Sequence, residues 1–446
     1  MMFLQYALPG VWVPLLGRYL LAPQAEGGLG FTNTEVGLTM GLAASIGALT
    51  APILAGQIAD RHFSTERLMA VLLATAGIIM WVTAGQTAYA AWLGLSIMYG
   101  IAYTPTQMLS NSLAFAHMTD RNRQFPRVRV WGTIGWITVA WVFPMVWLQT
   151  DLAATWKPPF LVGKEIPGVT HHLVDALRAA GLIAFAYGLY CLTLPNTPPK
   201  RNAPRALAFV KALGLLRKPS FAVLVAAGLL IVPIHQIYFI QTSTFLARIG
   251  LRDADILPAM SLGQIGEILM MALLGMMLKR LGFRPVMFIG AMAYFARYAL
   301  FGTTGLPVPL IIASQALHGV CFACFLATSY MYVDRLADED IRHSAQQLFG
   351  IVVLGGGPVI GGWLNGRLAA WFTPAGGTLD YSRFWYTLSG IGLVAAILVV
   401  LLFREETTKK LPQNCGTPAP GRTNDRKVAQ PGAAGPQPRA PLGNQP

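Results

Sequence analysis

Residues 256–278 read ILPAMSLGQIGEILMMALLGMML, an apolar run whose one charged residue, Glu267, sits at its middle. At 1.5 Å per residue, a helix of that length crosses about 30 Å of hydrocarbon. The run therefore places a carboxyl near the midplane of a bilayer, where a charged side chain costs roughly 3 kcal/mol or more. Gln264 lies three residues earlier, on the same helical face. An acid and an amide projecting together from an apolar helix point to a polar chamber beside it. The competing reading is a hydrogen-bonding pair that only ties helices together, a role that membranes more often give to amides and hydroxyls.

Composition places the whole chain in a membrane. Of 446 residues, 54% are hydrophobic and only 12% charged, with a mean hydropathy of +0.52, whereas about a quarter of the residues in a soluble domain are charged. The formal charge of +14 is spread over short connections between apolar runs and forms no stripe, so nucleic acid is not an expected partner. Cys191, Cys321, Cys324 and Cys415 show no pattern of a disulfide framework. Cys321 and Cys324 lack a second pair to complete a metal site, and packing is the expected role. Without a phosphate-binding loop, a metal-ligand cluster or a nucleophile beside a base, the chain does not read as an enzyme or as needing a cofactor. The glycines at 355–357, with Pro358, Gly361 and Gly362, fall inside an apolar span and suit close helix packing or a hinge.

Twelve stretches are long enough to span, near residues 2–23, 33–58, 67–88, 90–116, 128–149, 173–194, 219–246, 256–278, 284–302, 306–333, 344–371 and 383–403. The first follows the start without a basic region or cleavage site, so it is expected to be a retained helix. The expectation is an all-α membrane protein with two six-helix bundles, residues 1–194 and 219–404. Residues 195–218 form a Pro-rich basic linker with an amphipathic patch from Arg205 to Arg217, and 405–446 a disordered tail. Most of the 33 Lys and Arg lie in connections that share a side with both termini, which puts the termini in the cytoplasm. The halves echo each other, because Gly56 with Asp60-Arg61 ends the second span and Gly275 with Lys279-Arg280 ends the eighth. A duplicated six-helix unit accounts for that offset.

Twelve spans, a central basic linker and Gly56 followed by Asp60-Arg61 resemble the major facilitator superfamily. In that family the glycine lets helices approach closely, while the Asp and its basic neighbour clamp the loop in one access state; Gly56, Asp60 and Arg61 match that clamp. Phe3-Leu4-Gln5, Ala102-Tyr103 with Pro105-Thr106, the stretch from Arg129 through Trp131-Gly132-Thr133 to Gly135, Gln264 with Glu267, and Ile341-Arg342 with Ser344-Ala345-Gln346 narrow the resemblance to the bacterial nucleoside:proton symporters. The Arg129–Gly135 stretch is the most specific of these.

The resemblance implies an inner-membrane transporter, working as a monomer, with a nucleoside pocket where the halves meet. Arg129, Thr133 and Trp136 on the fifth span, Gln236 on the seventh and Gln264 and Glu267 on the eighth match pocket-lining positions, and Phe322 offers a second ring for the base. These types suit the substrate, since a base stacks on aromatic rings and ribose hydroxyls need amide or carboxylate partners once desolvated. Two positions depart from the family: Phe239 stands where an Asn is usual, and Ala323 where an acid is usual. Arg18 adds a cation near the outer mouth, with snorkelling to the headgroups as its expected fate. His235 and His318 are expected in ordinary buried hydrogen bonds, with a proton relay as the alternative.

Proton coupling through Glu267 follows as a hypothesis, because removal from water favours the neutral carboxyl and Arg129 supplies a counter-charge. A proton entering down ~100 mV supplies about 2.3 kcal/mol. Uncoupled facilitated diffusion, a sugar or other hydroxylated substrate, and a nucleoside-binding receptor that signals through the tail are the rival readings.

Overall fold

In a computed structural model, residues 1–54, 63–197, 214–337 and 342–406 are described; the clamp residues Gly56, Asp60 and Arg61, most of the linker and the tail beyond 406 lie outside them. The described part of residues 1–406 is helical, and its extended pairing amounts to two isolated bridges, Gln149–Glu165 and Ala154–Leu161, in the 148–168 connection.

The first half contains α1 (Met2–Leu21), α2 (Asn33–Ile53), α3 (Thr65–Ala84), α4 (Tyr89–Ala116), α5 (Arg121–Trp147) and α6 (Asp175–Cys191). The second contains α7 (Pro219–Arg248), α8 (Asp253–Leu281), α9 (Phe283–Gly302), α10 (Val308–Leu336), α11 (Ala345–Phe372) and α12 (Tyr381–Leu402). Among the described residues, ten helices are long and apolar enough to cross a membrane; α1 and α4, with 20 and 28 residues, complete the twelve by length. The fifth helix begins seven residues before the apolar run that predicts it, because Arg121–Arg127 continues the helix beyond the hydrocarbon.

Pairing within the first half is repeated in the second. α1 packs on α5 as α7 does on α11, α2 on α4 as α8 on α10, and α3 on α6 as α9 on α12. Across the halves, α1 meets α7, and the α2–α11 contact is matched by α8–α5. That exchange is the signature of two repeats related by a two-fold axis.

Local chemistry fixes the helix ends. Thr32 caps α2 in a capping box, its hydroxyl accepting from the Glu35 N–H at 3.2 Å while the Glu35 carboxylate accepts from the Thr32 N–H at 2.8 Å. α8 carries Asp253 and Asp255 in its first turn and Lys279 and Arg280 in its last, each favourable to the helix dipole. Gly282, at φ +82°, makes the sharp turn into α9 that a side chain would strain. Two helices contain wide π turns, α10 at Phe322–Ala327 and α11 at Gly350–Gly355.

The face carrying the 22–32, 148–168 and 249–252 connections is tightly closed. Arg18 of α1 donates to Asp253 of α8 and to Glu26, and Thr170 donates to the same Asp253 carboxylate at 2.8 Å. Arg18 is thus ion-paired between the halves, where the sequence leads one to expect it to snorkel. Arg252 donates to the carbonyls of Leu161 and Gly163, the Leu161 N–H donates to Asp255 at 3.2 Å, and the Ala254 N–H donates to Glu165 at 2.8 Å. On the α2–α11 side, a Cβ on Gly362 would lie 2.0 Å from the Gly37 carbonyl oxygen, so the two backbones touch. Gly275 differs: a Cβ there meets nothing within 4 Å, so the repeated glycine of the eighth span is not demanded by close packing.

Candidate functional site

α8 turns an apolar stripe of Ile265, Leu269 and Met276 outward, with Leu269 61% exposed. Glu267 lies two residues from Ile265 and from Leu269, and so roughly 160° around the helix from each. The acid therefore faces the protein interior. α10 presses on the adjacent side of α8, where a Cβ on Gly319 would fall 2.1 Å from the Glu267 backbone nitrogen and one on Gly263 would meet His318. Gln264 is buried one turn earlier, and Glu267 is half-buried.

The fifth helix supplies the cation. Gly132 and Gly135 let α5 come against α1: a Cβ on Gly135 would lie 2.2 Å from the Phe3 carbonyl oxygen, and one on Gly132 would strike the Tyr6 ring. This close approach places the Arg129 guanidinium 4.0 Å over the Tyr6 ring, within electrostatic reach of the Glu267 carboxyl. Trp136, one turn beyond Gly132, packs on Gly10 of α1, and Trp141 donates to Ser261 of α8 at 2.9 Å. Thr133 is half-buried on the same helix. Trp131, despite its place in the most specific stretch, is 56% exposed on the outside of the bundle. Two other sequence matches meet directly, Gln5 donating to Thr106 at 3.0 Å while the Tyr103 hydroxyl donates to the Gln5 carbonyl.

Gln236 of α7 sits against Gly361 and lines a cavity of about 230 Å³ between α1, α2, α4 and α7. The wall is Trp12, Thr39, Tyr99 and Tyr103 on one side and Gln236 and Phe239 on the other. Arg129, Thr133, Trp136, Gln264, Glu267 and Phe322 do not line this cavity. Arg129 and Glu267 lie within electrostatic reach of each other, Gln236 stands in the cavity wall, and Phe322 is half-buried at the start of the α10 π turn. Among the described residues, the side chains of Thr133, Gln236, Gln264 and Glu267 make no hydrogen bond, so their polar atoms are available to a solute.

A cluster on α7, α9 and α10 joins the two histidines to Arg297. Arg297 of α9 is 0% exposed, donates to His318 Nδ1 at 2.9 Å and to the Tyr298 hydroxyl at 3.0 Å, and lies 4.2 Å over the Tyr238 ring. His235 Nδ1 shares a 2.8 Å hydrogen bond with the Tyr294 hydroxyl and stacks on His318. Both histidines are therefore in ordinary hydrogen bonds, that of His318 buried and that of His235 partly so, and Arg297 is held by rings and an imidazole. Cys321 and Cys324 are buried free thiols.

The family model described as Nucleoside H+ symporter matches residues 1–408. The chain belongs to the nucleoside H+ symporter family. It is 31% identical over 417 residues to the putative nucleoside transporter YegT of Escherichia coli (strain K12), covering 91% of this chain and 92% of that protein. It is 27% identical over 424 residues to the nucleoside permease NupG of the same organism, covering 90% and 94%. A crystal structure of a mutant of the nucleoside transporter NupG shares the fold with a TM-score of 0.78 at 26% identity, over 90% of this chain and 98% of that one. The symporter therefore has the major facilitator fold, twelve helices in two pseudo-symmetric six-helix bundles, and its relatives are permeases and transporters, not enzymes.

Proposed function

We infer that this symporter imports nucleosides with protons across a bacterial inner membrane, its two halves rocking about a midplane site in alternating access. The observation that carries the reading is Glu267, an interior-facing acid on a membrane-spanning helix, free of hydrogen bonds among the described residues and within electrostatic reach of Arg129. Such a group can take a proton from one side and release it to the other as its surroundings change. Arg129, Thr133, Trp136, Gln236, Gln264, Glu267 and Phe322 are the proposed substrate contacts, with Glu267 as the coupling residue.

The distribution of Lys and Arg supports cytoplasmic termini, which makes the closed face the outer one and the present conformation closed to the outside. One chain supplies both repeats, so a monomer suffices. The proton gradient is the proposed energy source, with no cofactor.

The test is uptake of radiolabelled uridine or adenosine by the purified protein in liposomes, with and without an imposed pH step. The wild type should accumulate nucleoside only with the step. Glu267→Gln should lose that accumulation and keep exchange of labelled for unlabelled nucleoside. Full pH-driven accumulation by Glu267→Gln would remove Glu267 from coupling, and labelled sugar outcompeting nucleoside would replace the substrate.

A further inference from the structure

We propose that the 148–168 connection is a latch, a rigid arm of the first half that grips the start of α8 in the second and lets go each time the transporter opens outward. The release rests on the alternating-access reading above, whereas the grip stands on its own contacts.

The arm cannot lengthen to follow α8. Its base is closed by the Ile166 N–H donating to the Leu148 carbonyl at 3.2 Å, and further rungs run from Thr150 to Lys164 at 2.8 Å and from Val162 to Ala153 at 3.1 Å. At its foot the Trp147 indole donates to Asp175 at 2.9 Å, fastening the end of α5 to the start of α6. A hairpin held at both stems moves with the first half.

The grip imitates a strand. Arg252 and Asp255 form an ion pair at 2.7 Å and meet Leu161 as a neighbouring strand would: the guanidinium donates to the Leu161 carbonyl while the carboxylate accepts from the Leu161 N–H at 3.2 Å. Arg252 also donates to the Gly163 carbonyl at 2.7 Å, and the Ala254 N–H donates to Glu165 at 2.8 Å. Leu161 and the Asp255 side chain are both 0% exposed, so water does not compete for the bond between them. Three of these four bonds engage Arg252 or Asp255, and hydrogen bonds to charged groups are the stronger kind.

The arm is strained where it grips. Phe160, beside Leu161, has φ +85°, a region that disfavours any residue with a Cβ and persists only where neighbours enforce it. Its ring packs 5.3 Å from that of Trp141, whose indole donates to Ser261 of α8. The strained residue is thus braced against the helix that the arm holds.

Two measurements test the latch. In intact cells carrying Cys415→Ser, with the other three cysteines buried, Ser243→Cys reports opening of the outer face to an impermeant maleimide, since Ser243 is 0% exposed when that face is closed. Adding Arg252→Ala, which removes two of the four bonds, should speed labelling about tenfold, and Glu165→Ala should speed it severalfold. In proteoliposomes, Val162→Cys and Arg252→Cys joined by a cleavable bis-methanethiosulfonate of about an arginine's reach should cut nucleoside uptake at least tenfold. Reduction should restore uptake, and either single cysteine treated alike should retain it. Melting temperatures check folding, and if an alanine variant unfolds the crosslink decides. Unchanged labelling in both alanine variants, or uptake that persists through the crosslink, overturns the latch. A wild type that takes up no nucleoside overturns the functional reading instead, because labelling needs no substrate and still judges the latch.

Discussion

Arg18 Nε donates to Asp253 Oδ1 at 2.9 Å, a bond that ties the first helix of one half to the start of α8 in the other. The Asp253 side chain is 5% exposed and that of Arg18 15%, so water does little to screen the pair. Breaking a buried pair by removing one partner costs about 3–5 kcal/mol, since the remaining charge is stranded. Arg18→Ala should fall at the low end, about 3 kcal/mol, because Thr170 still donates to Asp253. Thermal unfolding in detergent measures this loss, and Arg18→Asp combined with Asp253→Arg should recover part of it.

The glycine contact of α2 with α11 sets how tightly the same face shuts. Valine at Gly362 would drive a Cβ into the Gly37 carbonyl, and neither backbone can yield without separating the helices. Gly362→Val should reduce nucleoside uptake at least tenfold, on the order of 1.4 kcal/mol or more in the closing equilibrium. A cysteine replacing the buried Ser243 should then become reactive to an impermeant maleimide. Gly275→Ala is the contrast: with open space around it, it should be neutral or stabilise α8 by up to about 0.8–1 kcal/mol through helix propensity.

Arg297 has no carboxylate among its described partners, so its stability rests on His318, Tyr298 and the ring of Tyr238. Arg297→Lys should not rescue the site, because an ammonium cannot donate in the same plane while lying over a ring. Both Arg297→Lys and Arg297→Leu should lower the melting temperature, with a loss of about 1–3 kcal/mol for the unpaired His318 acceptor. A melting temperature unchanged in both variants would show the cluster to be dispensable.

Glu165, in the 148–168 connection, accepts from the Ala254 N–H, and burial holds its pKa above the ordinary glutamate value, with Asp253 and Asp255 adding to the shift and Arg252 opposing it. The clasped connection therefore binds a proton more readily than a released one. Its contribution is fully present below the ordinary value of about 4.3 and is lost as pH rises through the raised one. The melting temperature should fall with pH across that window, and Glu165→Gln should flatten the fall.

Much of this was legible because membranes impose a simple code. Twelve apolar runs marked the twelve helices, and the lone acid at 267 marked the interior side of α8, since a carboxyl is costly against lipid. What escaped were features that depend on partners far apart in sequence. Arg18 read as a snorkelling cation because its acid lies 235 residues away in the second half. The cavity wall of Thr39, Tyr99 and Trp12 carries no local pattern, as each residue by itself is an ordinary helix packer. Gly275 carried a repeat spacing without the tight contact that such a glycine suggests.

The wide turn at Phe322–Ala327 has a counting consequence. Thr328 donates its hydroxyl to the Ala323 carbonyl at 2.9 Å, bridging five residues where an ordinary helix bridges four. The span holds one residue more than a regular helix of equal rise, and the wide turn absorbs it locally. Deleting a single residue there should close the turn to a regular one with both ends of α10 in place, whereas the same deletion elsewhere in the helix would swing one end by roughly 100° against the other. Chimeras that splice this helix from a relative must preserve its length register as strictly as its chemistry.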